Sequence, residues 1–199
     1  MAAEAGLDVK IVDLDMFALI NTFEHMGLGR SVPSGEFCVV IDFGAQKSDL
    51  IIYKDDAIMF TREMTIGGVL ITEEIQRQLG VNYVEAEGLK INGDDNGNLP
   101  EDIVEIIDAI LETFFSEIKK TLNFYMTASS DDAISKCFIT GGSSLIPGFM
   151  EGLETIMGIE VQLLNPFEKI EVQEDKFDEP TLQRISSSGL IALGLAMRS

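Results

Sequence analysis

The chain has 199 residues, 46% of them hydrophobic, which is enough for one sizeable core plus a small subdomain and too much for a disordered chain. With 34 acidic against 14 basic residues the formal charge is −20, which excludes a nucleic-acid footprint and direct docking on anionic lipid headgroups, since both need clustered Lys and Arg. Most of these carboxylates read as a solvated surface, and the charged partner they best complement is a basic protein segment.

Residues 10–14 alternate as a short strand, and Asp15 is placed to cap a helix running to about His25, with Phe17, Ile20 and Phe23 at helical spacing. Gly27 and Gly29 stop it. A loop then leads into a meander of three strands, about 37–42, 48–54 and 57–65. Gly67-Gly68 opens a helix to Leu79, residues 82–89 form a second short helix, and 92–98 a polar loop.

Pro100-Glu101-Asp102 begins the longest helix, because proline is tolerated in a first turn and acidic side chains favour its positive end. Its buried stripe is Ile103, Ile106, Ile107, Ile110, Leu111, Phe114, Phe115, Ile118 and Leu122, and it ends near residues 122–125. A strand at 137–140, a Gly141-Gly142 turn, a helix from Phe149 to about Met157 and a short strand at 159–163 complete the sheet. Residues 173–180 read as an acidic connecting loop and 186–197 as a final helix.

Cys38 and Cys137 each fall within an apolar strand, where a reduced thiol packs as a small hydrophobe, so a reducing cytosol is expected. No apolar run is long enough to cross a bilayer, and the N-terminus lacks the basic-then-apolar pattern of a secretory signal. Work at a membrane would depend on a partner.

Two turns carry the chemistry. Asp42-Phe43-Gly44-Ala45-Gln46 joins two apolar strands, as a hairpin tip that can bring backbone N–H groups to a phosphate while Asp42 holds a magnesium-bound water. Gly141-Gly142-Ser143 ends a later strand and leads toward a helix, so bare backbone can approach the flat face and ribose of a nucleotide. Either turn alone is common in proteins. Together they specify a site.

In this order, with Val12-Asp13-Leu14-Asp15, Thr61-Arg62-Glu63 before Gly67-Gly68, Glu85-Ala86-Glu87-Gly88-Leu89-Lys90 and Leu164-Asn165-Pro166-Phe167, these features resemble the actin-like ATPase superfamily. Within it they resemble the PilM family of type IV pilus assembly, through the Asn-Pro-Phe signature. The resemblance covers nearly the whole chain.

It implies an α/β fold of the ribonuclease-H-like, actin-type half-domain, a mixed sheet with an antiparallel meander flanked by helices and a small inserted subdomain. Residues 1–30 would be a strand and helix of the first actin-like half, 31–185 the second half with an insertion at about 67–100, and 186–199 a terminal helix packing toward the first. It implies ATP and Mg2+ as cofactors, with Asp42 near the metal, Gly44, Ala45 and Gln46 around the phosphates, Gly141, Gly142 and Ser143 around the adenosine, and Glu87 and Lys90 at the ribose. At helical spacing Glu87 and Lys90 also read simply as a solvated ion pair.

The implied role is a cytoplasmic scaffold, peripheral at the inner membrane, that binds the short cytoplasmic tail of a PilN-like membrane protein and other parts of the pilus platform. The alternatives are an active ATPase, or a component of cell division like FtsA or of type II secretion. Hydrolysis is not expected of this chain: it has one phosphate hairpin, and its 15–25 helix lacks the glutamine that actin uses to position water, Asn21 being the nearest amide. His25, the one histidine, reads as a group facing a helix C-terminus. Asp94, Asn96, Asn98 and Glu105 imitate part of a calcium loop, but Leu99 stands where the sharp turn requires glycine and Pro100 follows.

Overall fold

The computed structural model describes residues 4–93, 97–129, 133–172 and 176–198. The most apolar segments form a five-stranded sheet in the order β3-β2-β1-β4-β5, built from β1 (Phe37–Phe43), β2 (Ser48–Lys54), β3 (Ala57–Met64), β4 (Ile134–Thr140) and β5 (Val161–Leu163). β1, β2 and β3 pair antiparallel as the expected meander, while β4 runs parallel to β1 and β5 parallel to β4. β1 and β2 are buried along almost their whole length, so they read as continuous apolar runs and not as half-exposed alternation.

Helices cover both faces. Phe37, Val39, Ile41 and Phe43 of β1 point into a large core with Leu50, Ile52, Cys137 and Ile139, closed by α2 (Gly68–Leu79), α3 (Tyr83–Asn92), α4 (Glu101–Ala128) and α5 (Phe149–Met157). Cys38 and Val40 point the other way with Ile51, Tyr53 and Phe138, under α1 (Asp15–His25) and α7 (Leu190–Ala196). A Cβ on Gly194 would fall 1.7 Å from the Ala18 carbonyl oxygen, so only glycine allows α7 to lie this close to α1. Burial pushes the Cys38 thiol up to about 12 and raises that of Cys137 as well, so both are inert packing groups.

The stripe expected on α4 is buried as read, with Ile110 and Phe115 only partly so, and the helix runs to Ala128. Three local expectations are corrected. Residues 10–14 are outside every strand, and Ile11, Val12 and Leu14 are exposed, Val12 by 88%. Alternation makes a strand only where a neighbour completes the ladder, and among the described residues none does. Leu14, not Asp15, is the N-cap of α1: Asp15 sits in the first turn, and its carboxylate goes to Lys47. The final helix is two, α6 (Glu179–Ser188) and α7, divided at Gly189.

The start of α6 is coded locally, inside the segment expected to be a loop. Asp178 accepts a hydrogen bond from the Thr181 N–H at 2.9 Å and Pro180 occupies the first turn, which together form a capping pattern. Residues 173–175 of that loop, and Asp94 and Asn96 of the calcium-like sequence, lie outside the described residues.

Phe43 anchors the carboxyl end of β1. Its ring stacks on Phe114 and on Phe149, both at 4.6 Å between centroids, so the hairpin tip is bolted to α4 and α5 at once. Phe43→Ala should lower the unfolding free energy by about 3–5 kcal/mol. Urea unfolding followed by circular dichroism measures this; a loss below about 1 kcal/mol would mean the sandwich does not hold the tip.

Candidate functional site

β1 and β4 are adjacent and parallel, so their carboxyl ends open at the same edge of the sheet, where ligands of open α/β sheets bind. Asp42 is in register with Asp49 on one side and Thr140 on the other. The β1–β2 tip closes through the Gly44 N–H donating to the Lys47 carbonyl at 3.1 Å.

The tip is then tied to its surroundings by its own carbonyls. The Gly44 oxygen accepts from the Gly68 N–H at 3.1 Å and from Ser143 Oγ at 2.9 Å, and the Ala45 oxygen from the Val69 N–H at 2.8 Å. One glycine carbonyl therefore joins the hairpin, the start of α2 and the Gly-Gly turn. Ala45 and Gln46 are exposed at the tip.

The second turn is built to fit against the first. Gly141 has φ +92°, and a Cβ there would lie 2.3 Å from Asp42 Oδ1 and 2.4 Å from the Phe43 carbonyl oxygen. Its N–H donates to the Ser187 carbonyl at 2.8 Å, as does Thr140 Oγ1, which joins the turn to α6. Gly142 is different: it is exposed, and a Cβ there would meet nothing nearer than 4.0 Å. Gly141 is required by packing, whereas the space over Gly142 is open.

Glu87 and Lys90 approach from α3. Lys90 is only 7% exposed and donates to Glu87 Oε2 at 2.7 Å, Thr72 Oγ1 at 2.9 Å and the Gly68 carbonyl at 3.2 Å. Burial works against the Glu87 carboxylate, but its hydrogen bonds from Lys90 and Thr72 hold it below its ordinary range. Lys90 is a buried brace on the first turn of α2 with the half-buried Glu87 as its partner, and the two are not the solvated surface pair that helical spacing alone allows. The expected residues thus gather in two groups, with Gly141 against Asp42 and Ser143 bonded to Gly44 in the first, and Glu87 and Lys90 behind Gly68 in the second.

Four residues that the sequence reading did not place in the site complete the electrostatics, Asp15 and Glu63 having been read only as parts of motifs. Lys47 Nζ lies 2.8 Å from Glu63 Oε2 on β3, 3.1 Å from Asp15 Oδ2 on α1 and 3.6 Å from Asp49 Oδ2 on β2. Asp49 was legible through the hairpin: once residues 43 and 48 close the turn, 42 and 49 must face each other. Burial, then the charges of Asp49 and Asp15, push the Asp42 carboxyl up to about 6, with Lys47 opposing them. Burial likewise raises Asp49.

For Mg2+, which keeps several waters and needs oxygen ligands in octahedral array, Asp42 supplies one carboxylate. No group of three or more His, Cys, Asp or Glu among the described residues is set to hold a metal. The residues fit an ion that arrives with a polyphosphate.

Two measurements test this geometry. Gly141→Ala should lower the melting temperature, with a cost of at least ~1 kcal/mol from positive φ before its clash with Asp42, while Gly142→Ala leaves it unchanged; equal effects would refute the packing argument. The Asp42 carboxyl is held near 6 in the fold against an ordinary value of 3.8, so the native state binds the proton more tightly and its stability falls as pH rises through that window. Asp42→Asn should therefore stabilise by on the order of 2 kcal/mol above neutrality and change little below pH ~4, read from melting curves across pH.

Residues 1–199 match the family model described as type IV pilus assembly protein PilM. A solved PilM-PilN type IV pilus biogenesis complex is similar at TM-score 0.83 and 26% identity, over 98% of this chain and 55% of that one. Cell division protein FtsA of Streptococcus pneumoniae serotype 2 is 25% identical over 181 residues, 81% of this chain and 38% of FtsA. MreB 5 of Spiroplasma citri, solved bound to AMPPNP, shares the fold at TM-score 0.59 and 14% identity, over 98% of this chain and 61% of that one. The chain spans about half the length of the PilM chain and well under half of FtsA. With the sheet order, the paired glycine turns and a family match along its full length, this chain belongs to the PilM family of actin-like type IV pilus assembly proteins.

Proposed function

We propose that this chain forms one wall of a nucleotide cleft in a cytoplasmic pilus-assembly scaffold. The carrying observation is the contact between the two turns, where Ser143 Oγ reaches the Gly44 carbonyl and Gly141 leaves no room between itself and Asp42. Gly44, Ala45 and Gln46 would face the phosphates of ATP, Gly142 and Ser143 the adenosine, and Asp42 a water on the nucleotide's Mg2+. Lys90 and Glu87 support the wall behind Gly68, with the ribose the nearest part of the ligand. AMPPNP in MreB 5 supports the ligand class through shared fold.

In this reading residues 31–185 are the second actin-like half with α2 and α3 as its small insertion, and residues 1–30 and 186–199 pack toward the first half. A triphosphate held by this chain alone would receive transition-state stabilisation from one side only, so this chain by itself is expected to bind nucleotide with little turnover. The partner is a PilN-like inner-membrane protein engaged through a short cytoplasmic tail, a reading supported by the similar PilM-PilN complex. No helix among the described residues is long and apolar enough to cross a membrane, so such a partner would provide the attachment.

Calorimetric titration of the chain with ATP and magnesium, and the same titration of Gly142→Val, tests the cleft. Weak binding that the valine abolishes without lowering the melting temperature is expected; unchanged affinity would make the turn purely structural. Phosphate release should stay far below an ordinary enzyme rate of about 10 per second. A labelled basic tail peptide followed by fluorescence anisotropy should bind weakly and lose affinity as salt is raised. Tight binding that survives high salt would move the recognition groove into this chain.

A further inference from the structure

An apolar groove runs between α4 and α5 on their outer side. Leu111, Phe115 and Ile156 line it, and it continues past Lys119 to Met126 and Ile159. A Cβ on Gly152 would fall 2.3 Å from the Phe115 ring, so only glycine in α5 lets that ring lie against the helix. Along the α4 rim stand Asp108, Glu112, Ser116, Lys119 and Asn123, all exposed. Spacings of three and four residues put them on one face of the helix.

The charges on this face cannot satisfy one another within the chain. Asp108 and Glu112 are like charges one turn apart, which repel. Glu112 and Lys119 have opposite signs but stand seven residues apart, roughly 10 Å along the axis and beyond ion-pair reach. None of the three has an ion-pair partner among the described residues, whereas the next lysine, Lys120, pairs with Glu117 at 2.7 Å. Turned end for end, the face is its own complement. A two-fold axis between Phe115 and Ser116 lays an antiparallel copy of α4 on the first so that Glu112 meets Lys119, and Lys119 meets Glu112. The same operation sets Asp108 against Asn123, whose amide can donate to it, and puts the small Ser116 beside Phe115.

We propose that this face docks a second copy of the chain, giving a two-fold dimer through antiparallel α4 helices. The formal charge of −20 opposes association of two copies, so docking is confined to a face where opposite signs come together. Covering the groove supplies the driving force, and the two Glu112–Lys119 pairs fix register and direction. α1 and α7 cover the other face of the sheet and stay free in this dimer. The pairing uses neither glycine turn, and its test needs no nucleotide, so failure here leaves the proposed cleft untouched.

The test is sedimentation velocity over a concentration series at physiological salt, with melting curves at dilution to check that each variant folds. Wild type should pass from monomer to dimer as concentration rises. Glu112→Lys and Lys119→Glu should each weaken the dimer at least about tenfold, because each turns two attractive pairs into two repulsive ones. Mixing these two variants in equal amounts should restore it, since every altered charge then meets its opposite. Both substitutions in one chain should restore it as well. Ser116→Arg should abolish it, through bulk and repulsion at the axis. A wild type that stays monomeric to roughly 0.5 mM, single variants that pair as wild type does, or weakened variants that fail to recover on mixing would overturn the proposal. Should either single variant fail to fold, the double substitution compared with Ser116→Arg decides.

Discussion

The site depends on the placement of one strand. β1 is paired on both edges and buried on both faces, so its side chains have no freedom to change sides: the alternation that aims Phe43 into the α4–α5 core aims Asp42 at the opposite face. Phe43 is held in an aromatic sandwich and is the fixed point. Everything chemical near it is positioned relative to that ring, including the Gly44 carbonyl one residue on.

From this anchor the contacts spread in two directions with different physics. Toward α2, α3 and the Gly-Gly turn they are short, local hydrogen bonds to backbone carbonyls: Ser143 and Gly68 to Gly44, Val69 to Ala45, and Lys90 to Gly68. These are neutral or fully paired, and they make a rigid wall. Toward α1 and β3 the contacts are ionic, with carboxylates in excess of the lysine between them. Burial, more than the neighbouring charges, raises the Asp42 and Asp49 carboxyls on that side, and Asp49 Oδ1 is buried there without a hydrogen-bond partner among the described residues.

The α1–α7 layer links that ionic side to the rest of the molecule. Gly194 lets the two helices touch through their backbones, Thr22 Oγ1 donates to the Leu190 carbonyl at 2.7 Å, and Arg198 pairs with Asp13 at 2.8 Å just before α1. Displacement of Asp15 at the start of α1 would therefore be felt by α7. The residues preceding α1 include exposed apolar side chains, among them Ile11 and Val12.

Much of this was determined by the sequence alone, because the relevant signals are local. Apolar runs of strand length, the stripe on α4, the proline and acidic start of that helix, and glycines at two strand ends each specify a conformation within a few residues. The order of those turns was enough to place the chain among actin-like proteins. What only the tertiary structure decided is non-local: that Gly141 packs on Asp42 while Gly142 stands open, that Lys90 is a buried brace and not a surface partner, and that Lys47 gathers Asp15, Asp49 and Glu63. Residues 10–14 belong to the same lesson. Their alternation describes a strand, but a strand exists only where another backbone offers its hydrogen bonds, and that partner is not coded in the residues that need it.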